Sequence, residues 1–346
     1  MKYKGPALIA LFVVLNCLNL MAQPYGAEDN QPRLLKWLDD SHFLVQKTDS
    51  LNNTYVENYD CRTGKSLPVT DYRSESEILK ESMPEELRET AGQVVSSDFR
   101  KVIFNRENDL WFFRVGDQTA RKLTCDEAPE MNVRFSSDEK KIAYTKYKEL
   151  YVYDLELDIE TRLTFDASDQ VYNGWASWIY YEEILGRSSR YAAFWWSPDG
   201  NRIAFLHTDE TEVPVFYLNS LEDTDPLHGR LEITPYPKPG DPNPQVKIGI
   251  ADVSTGKITW IRTDETIDQY LAWPSWTPDS RSLMIQVLNR DQNDLRFILA
   301  DVMSGEYKEI YSETRPTWVE FYKDNYVFND GSGFIVRSSR NDWYNL

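Results

Sequence analysis

Two adjacent carboxylates, Glu182 and Glu183, close an aromatic-rich stretch, Val171-Tyr-Asn-Gly-Trp-Ala-Ser-Trp-Ile-Tyr-Tyr-Glu-Glu-Ile184. A carboxylate pair walled by Trp and Tyr suits a cation. An ammonium offers several N–H donors, and two acceptors with reduced access to water can meet them with charge-assisted hydrogen bonds. Adjacent glutamates also arise by chance in an acidic chain, as Glu85-Glu86 shows, and such a pair is ordinarily solvated surface. Little else in the chain offers chemistry. The histidines are His42, His207 and His228, and no Gly-x-Ser-x-Gly elbow, His-Glu-x-x-His, Cys-x-x-Cys or glycine-rich phosphate loop occurs. The expectation is therefore no catalytic residue, no metal site and no cofactor within this chain. His207, beside Asp209, reads as a hydrogen-bonded strand-end histidine.

The elements that must position the pair repeat along the chain. An apolar residue followed by Ser/Thr-x-Asp recurs as Val95-Ser-Ser-Asp98, Phe135-Ser-Ser-Asp138, Trp196-Ser-Pro-Asp199 and Trp276-Thr-Pro-Asp279. Each copy precedes a short β-rich run, such as Lys141-Ile-Ala-Tyr144 or Arg202-Ile-Ala-Phe205, and then a second one. Alternating apolar residues between turn residues are strands joined by hairpins. The repeated aspartates are 40, 61 and 80 residues apart. Units of about 40 to 45 residues with four strands each predict an all-β fold, a β-propeller. The surpluses, about 21 and about 40 residues over that unit, fall in the Trp175–Arg190 region and between Glu210 and Gln245. An earlier partial copy, Leu34 to Asp40 with Tyr55 to Asp60, belongs to the first blade. The last unit opens with Trp318-Val-Glu-Phe-Tyr322, and the chain stops inside a blade, so a longer protein is expected. Trp195 and Trp196 alternate on a strand, which predicts that at least one is core.

Composition bounds the setting. The chain has 346 residues, 41% of them hydrophobic, enough for a sizeable core. Lys2 and Lys4, an apolar run from Ala7 to Leu15 and a small-residue ending at Ala22 read as a secretory signal, residues 1–22, with the mature domain at 23–346. The expected destination is periplasmic or extracellular, a lipid anchor at Cys17 being the lesser option. Only Cys61 and Cys125 would remain, and spacing alone does not pair them. Loss of Lys2 and Lys4 would take the formal net charge from −18 to −20. An acidity of that size disfavours nucleic acid and anionic membranes as partners and favours solubility and cationic ligands.

Three segments in order resemble the N-terminal β-propeller of the dipeptidyl peptidase IV family of serine exopeptidases: Trp178-Ile-Tyr-Tyr-Glu-Glu-Ile184 leading to Phe194-Trp-Trp-Ser-Pro-Asp-Gly200, Asp209-Glu-Thr-Glu-Val-Pro214, and Pro235-Tyr-Pro-Lys-Pro-Gly-Asp-Pro-Asn-Pro-Gln-Val-Lys247. The resemblance implies about five to six blades of an eight-bladed propeller that caps a C-terminal α/β-hydrolase domain of the same full-length protein. It implies that Glu182 and Glu183 bind the free α-ammonium of a peptide substrate, so that short N-terminal peptides, often X-Pro, are released. Arg106 lies where the family holds the substrate carbonyl, or makes a surface salt bridge. Tyr180 and Tyr181 either line the pocket or pack between blades. The 210–247 arm is implied in homodimer contacts; its five prolines alone read as a stiff extended linker. The alternative is a stand-alone secreted propeller that binds a peptide or protein without catalysis.

Overall fold

The structure is a computed structural model that describes residues 32–70, 72–88, 93–220, 230–323, 325–341 and 343–346. The signal expected at 1–22 lies outside the described residues. The chain divides into two compact units between Ile78 and Leu79. The first holds one four-stranded antiparallel sheet, blade 1, from Arg33–Trp37, His42–Thr48, Thr54–Asp60 and Lys65–Val69 in sequential order.

In the second unit four more antiparallel blades follow. Blade 2 comprises Val94–Val95, Lys101–Arg106, Asp109–Arg114 and Arg121–Lys122, and blade 3 comprises Met131–Phe135, Lys141–Lys146, Glu149–Asp154 and Ile159–Arg162. Blade 4 is built on Arg202–Asp209, Gln245–Asp252 and Ile258–Trp260, with its first strand in two pieces; blade 5 is Gln269–Trp276, Ser282–Asn289, Asp294–Asp301 and Tyr307–Thr314. A two-stranded pair, Asn325–Val327 with Phe334–Val336, comes last. No helix among the described residues is long and apolar enough to cross a membrane.

The second strands read as continuous apolar runs because both of their faces are covered. Successive side chains of a strand point to opposite sides, so Ile142 and Tyr144 join Ile103, Leu110 and Phe112 of blade 2, whereas Ala143 packs with Phe194, Ile203 and Phe205 of blade 4. In Arg202–Asp209 the same alternation sends Ala204 and Leu206 to a core shared with Leu271 and Leu283 of blade 5. Burying one such large side chain contributes about 1.5–3 kcal/mol, and blade-on-blade stacking is where this chain gathers that burial. Trp195 and Trp196 differ from expectation. Both are half-buried, Trp195 against the core between blades 4 and 5 and Trp196 against the core between blades 3 and 4. The indole edges of Trp196 and Trp276 reach across the gaps between blades: Trp196 Nε1 donates to the Arg134 carbonyl, 3.3 Å, and Trp276 Nε1 to the backbone carbonyl of Trp195, 3.2 Å.

The Ser/Thr-x-Asp repeat is one turn made four times. The hydroxyl of Ser96, Ser136, Ser197 or Thr277 donates to the aspartate two residues on, at 2.6–2.7 Å. It also accepts the backbone N–H five residues on, at 2.8–3.0 Å. The residue after each aspartate, Phe99, Glu139, Gly200 or Ser280, is left-handed at φ 55 to 67°. Successive turns interlock: Ser137 Oγ donates to the Ser197 carbonyl at 2.8 Å, and Asp199 N to Ser280 Oγ at 3.1 Å. In blades 2 and 3 the closing Leu-Thr pairs extend the ladder, with Thr124 and Thr164 hydroxyls accepting from Leu110 N and Leu150 N at 2.8 and 2.9 Å.

One further reading needs correction. The 210–247 arm is not a plain linker: Val215–Ser220 and Arg230–Pro235 form an antiparallel ribbon, and only the proline run after it is extended. Trp318 to Tyr322, which opens the last unit, is irregular. The buried amide of Gln286 replaces ladder bonds there, accepting from Tyr322 N and donating to its carbonyl, both at 2.8 Å. Cys61 and Cys125 are exposed free thiols.

Candidate functional site

The first strand of blade 4 is interrupted in mid-course. Val171–Asn173 pairs with the far end of Arg202–Asp209, at Asp209 to His207, and Phe194–Trp196 pairs with Phe205 to Ile203. Between them one residue, Leu206, holds both ends of the interruption: Gly174 N donates to its carbonyl and its own N donates to Ala193 O, each at 2.9 Å. Ala193 N in turn donates to Gly174 O, 2.9 Å. Gly174 has φ +69°, and a Cβ there would meet Leu150, Phe194 and Thr145 at 3.3–3.4 Å, so glycine suits this exit both conformationally and sterically.

The excursion carries the acidic pair on a single π-helical turn, Tyr180–Ile184, closed by Leu185 N donating to Tyr180 O at 2.7 Å. Such turns concentrate at functional sites. Tyr180, Ile184 and Leu185 are buried in the core shared with blade 5, and the Tyr180 hydroxyl accepts Leu271 N at 3.1 Å. Tyr180 therefore packs between blades. With those side chains turned inward, Glu182 and Glu183 lie on the outer side, half-buried and exposed respectively.

Glu183 lines a cleft of about 440 Å³ with Tyr270, Gln292, Trp318, Glu320, Phe321 and Lys323. Glu182 is instead engaged by Arg187 Nε, at 2.8 and 2.7 Å from its two oxygens. Tyr181 stacks on Tyr191, with centroids 3.9 Å apart and planes at 12°, and Tyr191 stacks on Trp175 at 5.1 Å and 8°. Tyr181, Tyr191 and Trp175 thus form one aromatic stack, and none of the three lines the cleft that Glu183 faces. Trp178 turns the other way, onto Tyr236 after the ribbon, at 4.6 Å.

Arg106 sits exposed at the two-residue hairpin tip formed by Glu107 and Asn108, with its guanidinium carbon 6.0 Å from the Trp111 ring centroid. Among the described residues no ion pair joins it to either glutamate or to any other acid. His207 is buried, with Nδ1 2.9 Å from Asn173 Oδ1 and its ring edge-on to Trp260. Burial lowers its pKa, with Asp166 opposing. Asp209 receives Thr211 N and Oγ1 at 2.9 and 2.7 Å, which makes it a turn residue. His228 lies outside the described residues.

Among the described residues one other acidic cluster could hold a cation. Asp126, Glu130 and Glu160 bring their oxygens within 4.8 Å of one another. Lys146 already lies among them, its Nζ 2.6, 3.7 and 2.8 Å from the three in that order, so the protein's own ammonium takes the place of an ion.

At the end of the blade 4 strand Arg202–Asp209, Glu210 is buried, and burial pushes its pKa up to about 7 against the opposing Tyr172 hydroxyl and Lys148 charge. A carboxyl whose folded pKa is raised favours the protonated folded state. Its contribution is present below the unfolded pKa of about 4.5 and is lost as pH rises through about 7. His207, with its pKa lowered, has the opposite slope below about 6.5 and is common to both proteins in a comparison. Glu210→Gln will therefore remove a fall in stability of up to about 1.4 kcal/mol per pH unit between about pH 5 and 7. Urea unfolding of both proteins across that range measures the difference; parallel pH profiles would show that Glu210 does not titrate there.

Residues 100–346 match the family described as the dipeptidyl peptidase IV (DPP IV) N-terminal region. The chain belongs to this family. The protein named Probable dipeptidyl-aminopeptidase B from Talaromyces marneffei is 31% identical over 250 residues, 66% of this chain and 25% of that protein. Dipeptidyl peptidase 4 from Sus scrofa is 25% identical over 324 residues, 88% of this chain and 39% of that protein. The crystal structure of Porphyromonas gingivalis dipeptidyl peptidase 4 superposes with a TM-score of 0.63 at 21% identity, covering 84% of this chain and 41% of that one. The last of these supports the propeller fold. The chain thus spans between a quarter and about two fifths of the length of these relatives. Within the family region the structure adds residues that the sequence did not single out: Arg187, Tyr191, and the cleft side chains Trp318, Phe321 and Lys323.

Proposed function

We propose that this chain is the substrate-recognising propeller of an exported serine exopeptidase, and that the full-length protein carries an α/β-hydrolase domain that supplies the nucleophile. The observation that carries the reading is Glu183, exposed into an aromatic cleft beside Glu182 on a turn pinned to two blades. A free peptide N-terminus entering that cleft places its ammonium against the two carboxylates, which accept its N–H donors. The remainder of the peptide then extends toward a nucleophile held at a fixed distance, so cleavage is counted from the N-terminus.

Export rests on Lys2, Lys4 and the apolar run Ala7 to Leu15. Homodimer contact through the 210–247 arm is supported by apolar residues exposed on the ribbon, Tyr217 at 58% and Ile233 at 57%. The segment alone is expected to be inactive. The deciding experiment uses the full-length protein: a chromogenic X-Pro peptide with a free N-terminus will be hydrolysed in a reaction stopped by a serine-protease inhibitor. Its N-acetylated form will be cleaved at least about 100-fold more slowly, because acetylation removes the charge that the glutamates recognise. Equal cleavage of the two peptides would exclude an ammonium anchor.

A further inference from the structure

The two glutamates are not equivalent. Arg187 grips Glu182 through Nε, 2.8 and 2.7 Å from its two oxygens, and through Nη2 to Oε1. Among the described residues no cation is paired in this way with Glu183, which faces the cleft. The arginine lies on the solvent side, its side chain 73% exposed against 17% for Glu182. Backbone features on both flanks shape the segment that returns it. Gly186 has φ 81° and ψ 153°, a conformation open to glycine, and one 3₁₀ turn, Arg187–Ser189, follows. Arg190 and Tyr191 then adopt left-handed φ of 50 and 69° in succession. Two consecutive non-glycine residues in that region cost free energy, and such strain gathers at functional sites.

We propose that Arg187 is an internal substitute for the substrate's α-ammonium. It neutralises Glu182 in the free protein and must yield that carboxylate when a peptide N-terminus arrives. The proposal rests on the reading of Glu182 and Glu183 as the ammonium site. Exchange of one charge-assisted pair for another leaves Glu182 contributing only the difference between them, while Glu183, without such a competitor, contributes in full. Arg187 therefore sets the affinity threshold of the anchor. It selects against weak cationic ends and acts on binding, not on the reacting bond.

The test compares wild-type full-length protein with Arg187→Gln and Arg187→Lys on a free-amine X-Pro chromogenic peptide. In Arg187→Gln, KM will fall about threefold to tenfold, the range for an exposed but bidentate arginine pair, with kcat unchanged within about twofold. Inhibition by the free product dipeptide will tighten by the same factor, inhibition by its N-acetyl form will not change, and Arg187→Lys will fall between. An unchanged or raised KM in Arg187→Gln, with Glu183→Gln still impaired, overturns the competition and leaves the anchor standing. Wild-type kcat/KM in Glu183→Gln overturns the anchor itself.

Discussion

Glu183→Ala in the full-length protein will lower kcat/KM for free-amine peptides by about 100-fold to 1,000-fold, the equivalent of about 2.7–4 kcal/mol lost from two or more charge-assisted hydrogen bonds. Glu182→Ala will cost less, about tenfold to 100-fold, because part of its attraction is spent on Arg187 when no peptide is bound. The order matters as much as the size. A surface pair of no consequence would leave both variants at wild-type turnover, and a purely structural role would lower Tm together with activity. Glu183 is exposed, and its backbone turn is held by Tyr180, Ile184 and Leu185, so Tm should stay within about 2 °C of wild type. Steady-state kinetics with free and N-acetylated peptides, alongside a melting curve for each variant, separates the three outcomes.

Lys146→Ala will destabilise the propeller by about 3–5 kcal/mol, the scale for removing one partner from a buried ionic cluster. The Lys146 side chain is 5% exposed and that of Glu130 fully buried, with Asp126 and Glu160 closing the group from the solvent side. Burial alone would lower the lysine pKa, but the hydrogen bonds it donates to Asp126 and Glu160 outweigh it and the net shift is upward, as expected for an ammonium held by acids. Glu130 remains the misfit, its pKa pushed up to about 7 by burial, with Thr124 opposing. Without the lysine, three carboxyl groups would face one another with no cation. Lys146→Met separates charge from packing, since it keeps most of the stem. A loss similar to that of alanine in urea unfolding identifies the charge as the cause, and Glu160→Gln in the same background should then restore part of the stability. A variant within about 0.5 kcal/mol of wild type would show the cluster to be of no energetic weight.

Where the sequence was legible, one local interaction set was being repeated. Ser96, Ser136, Ser197 and Thr277 each make the same two hydrogen bonds, so residue type and position carry the turn without tertiary help. The surplus length before Phe194 likewise located the excursion from blade 4. Other features depended on packing that residue types do not encode. Tyr180 and Tyr181 are neighbours of one kind, yet on a π turn one residue of phase sends the first to Leu271 and the second to Tyr191. Trp318 to Tyr322 is rich in residue types that favour strands, but a side-chain amide from Gln286, 36 residues before Tyr322, takes the bonds a neighbouring strand would have taken. Arg187 reaches Glu182 from five positions on, through the bend at Gly186, a pairing that regular helical spacing would not suggest.

The rung at Leu206 has a consequence for how this protein can diversify. Because Gly174 and Ala193 meet the same residue of the neighbouring strand, everything between them is a closed detour that the sheet does not measure. Its outward-facing residues can be exchanged while Val171–Asn173 and Phe194–Trp196 keep their partners and Tyr180, Ile184 and Leu185 keep their seats against blade 5. The detour behaves as an exchangeable cassette on a fixed frame. On the proposed function, selectivity for a peptide end is rewritten at the outward positions Glu182, Glu183 and Arg187, away from the residues that pack against blade 5.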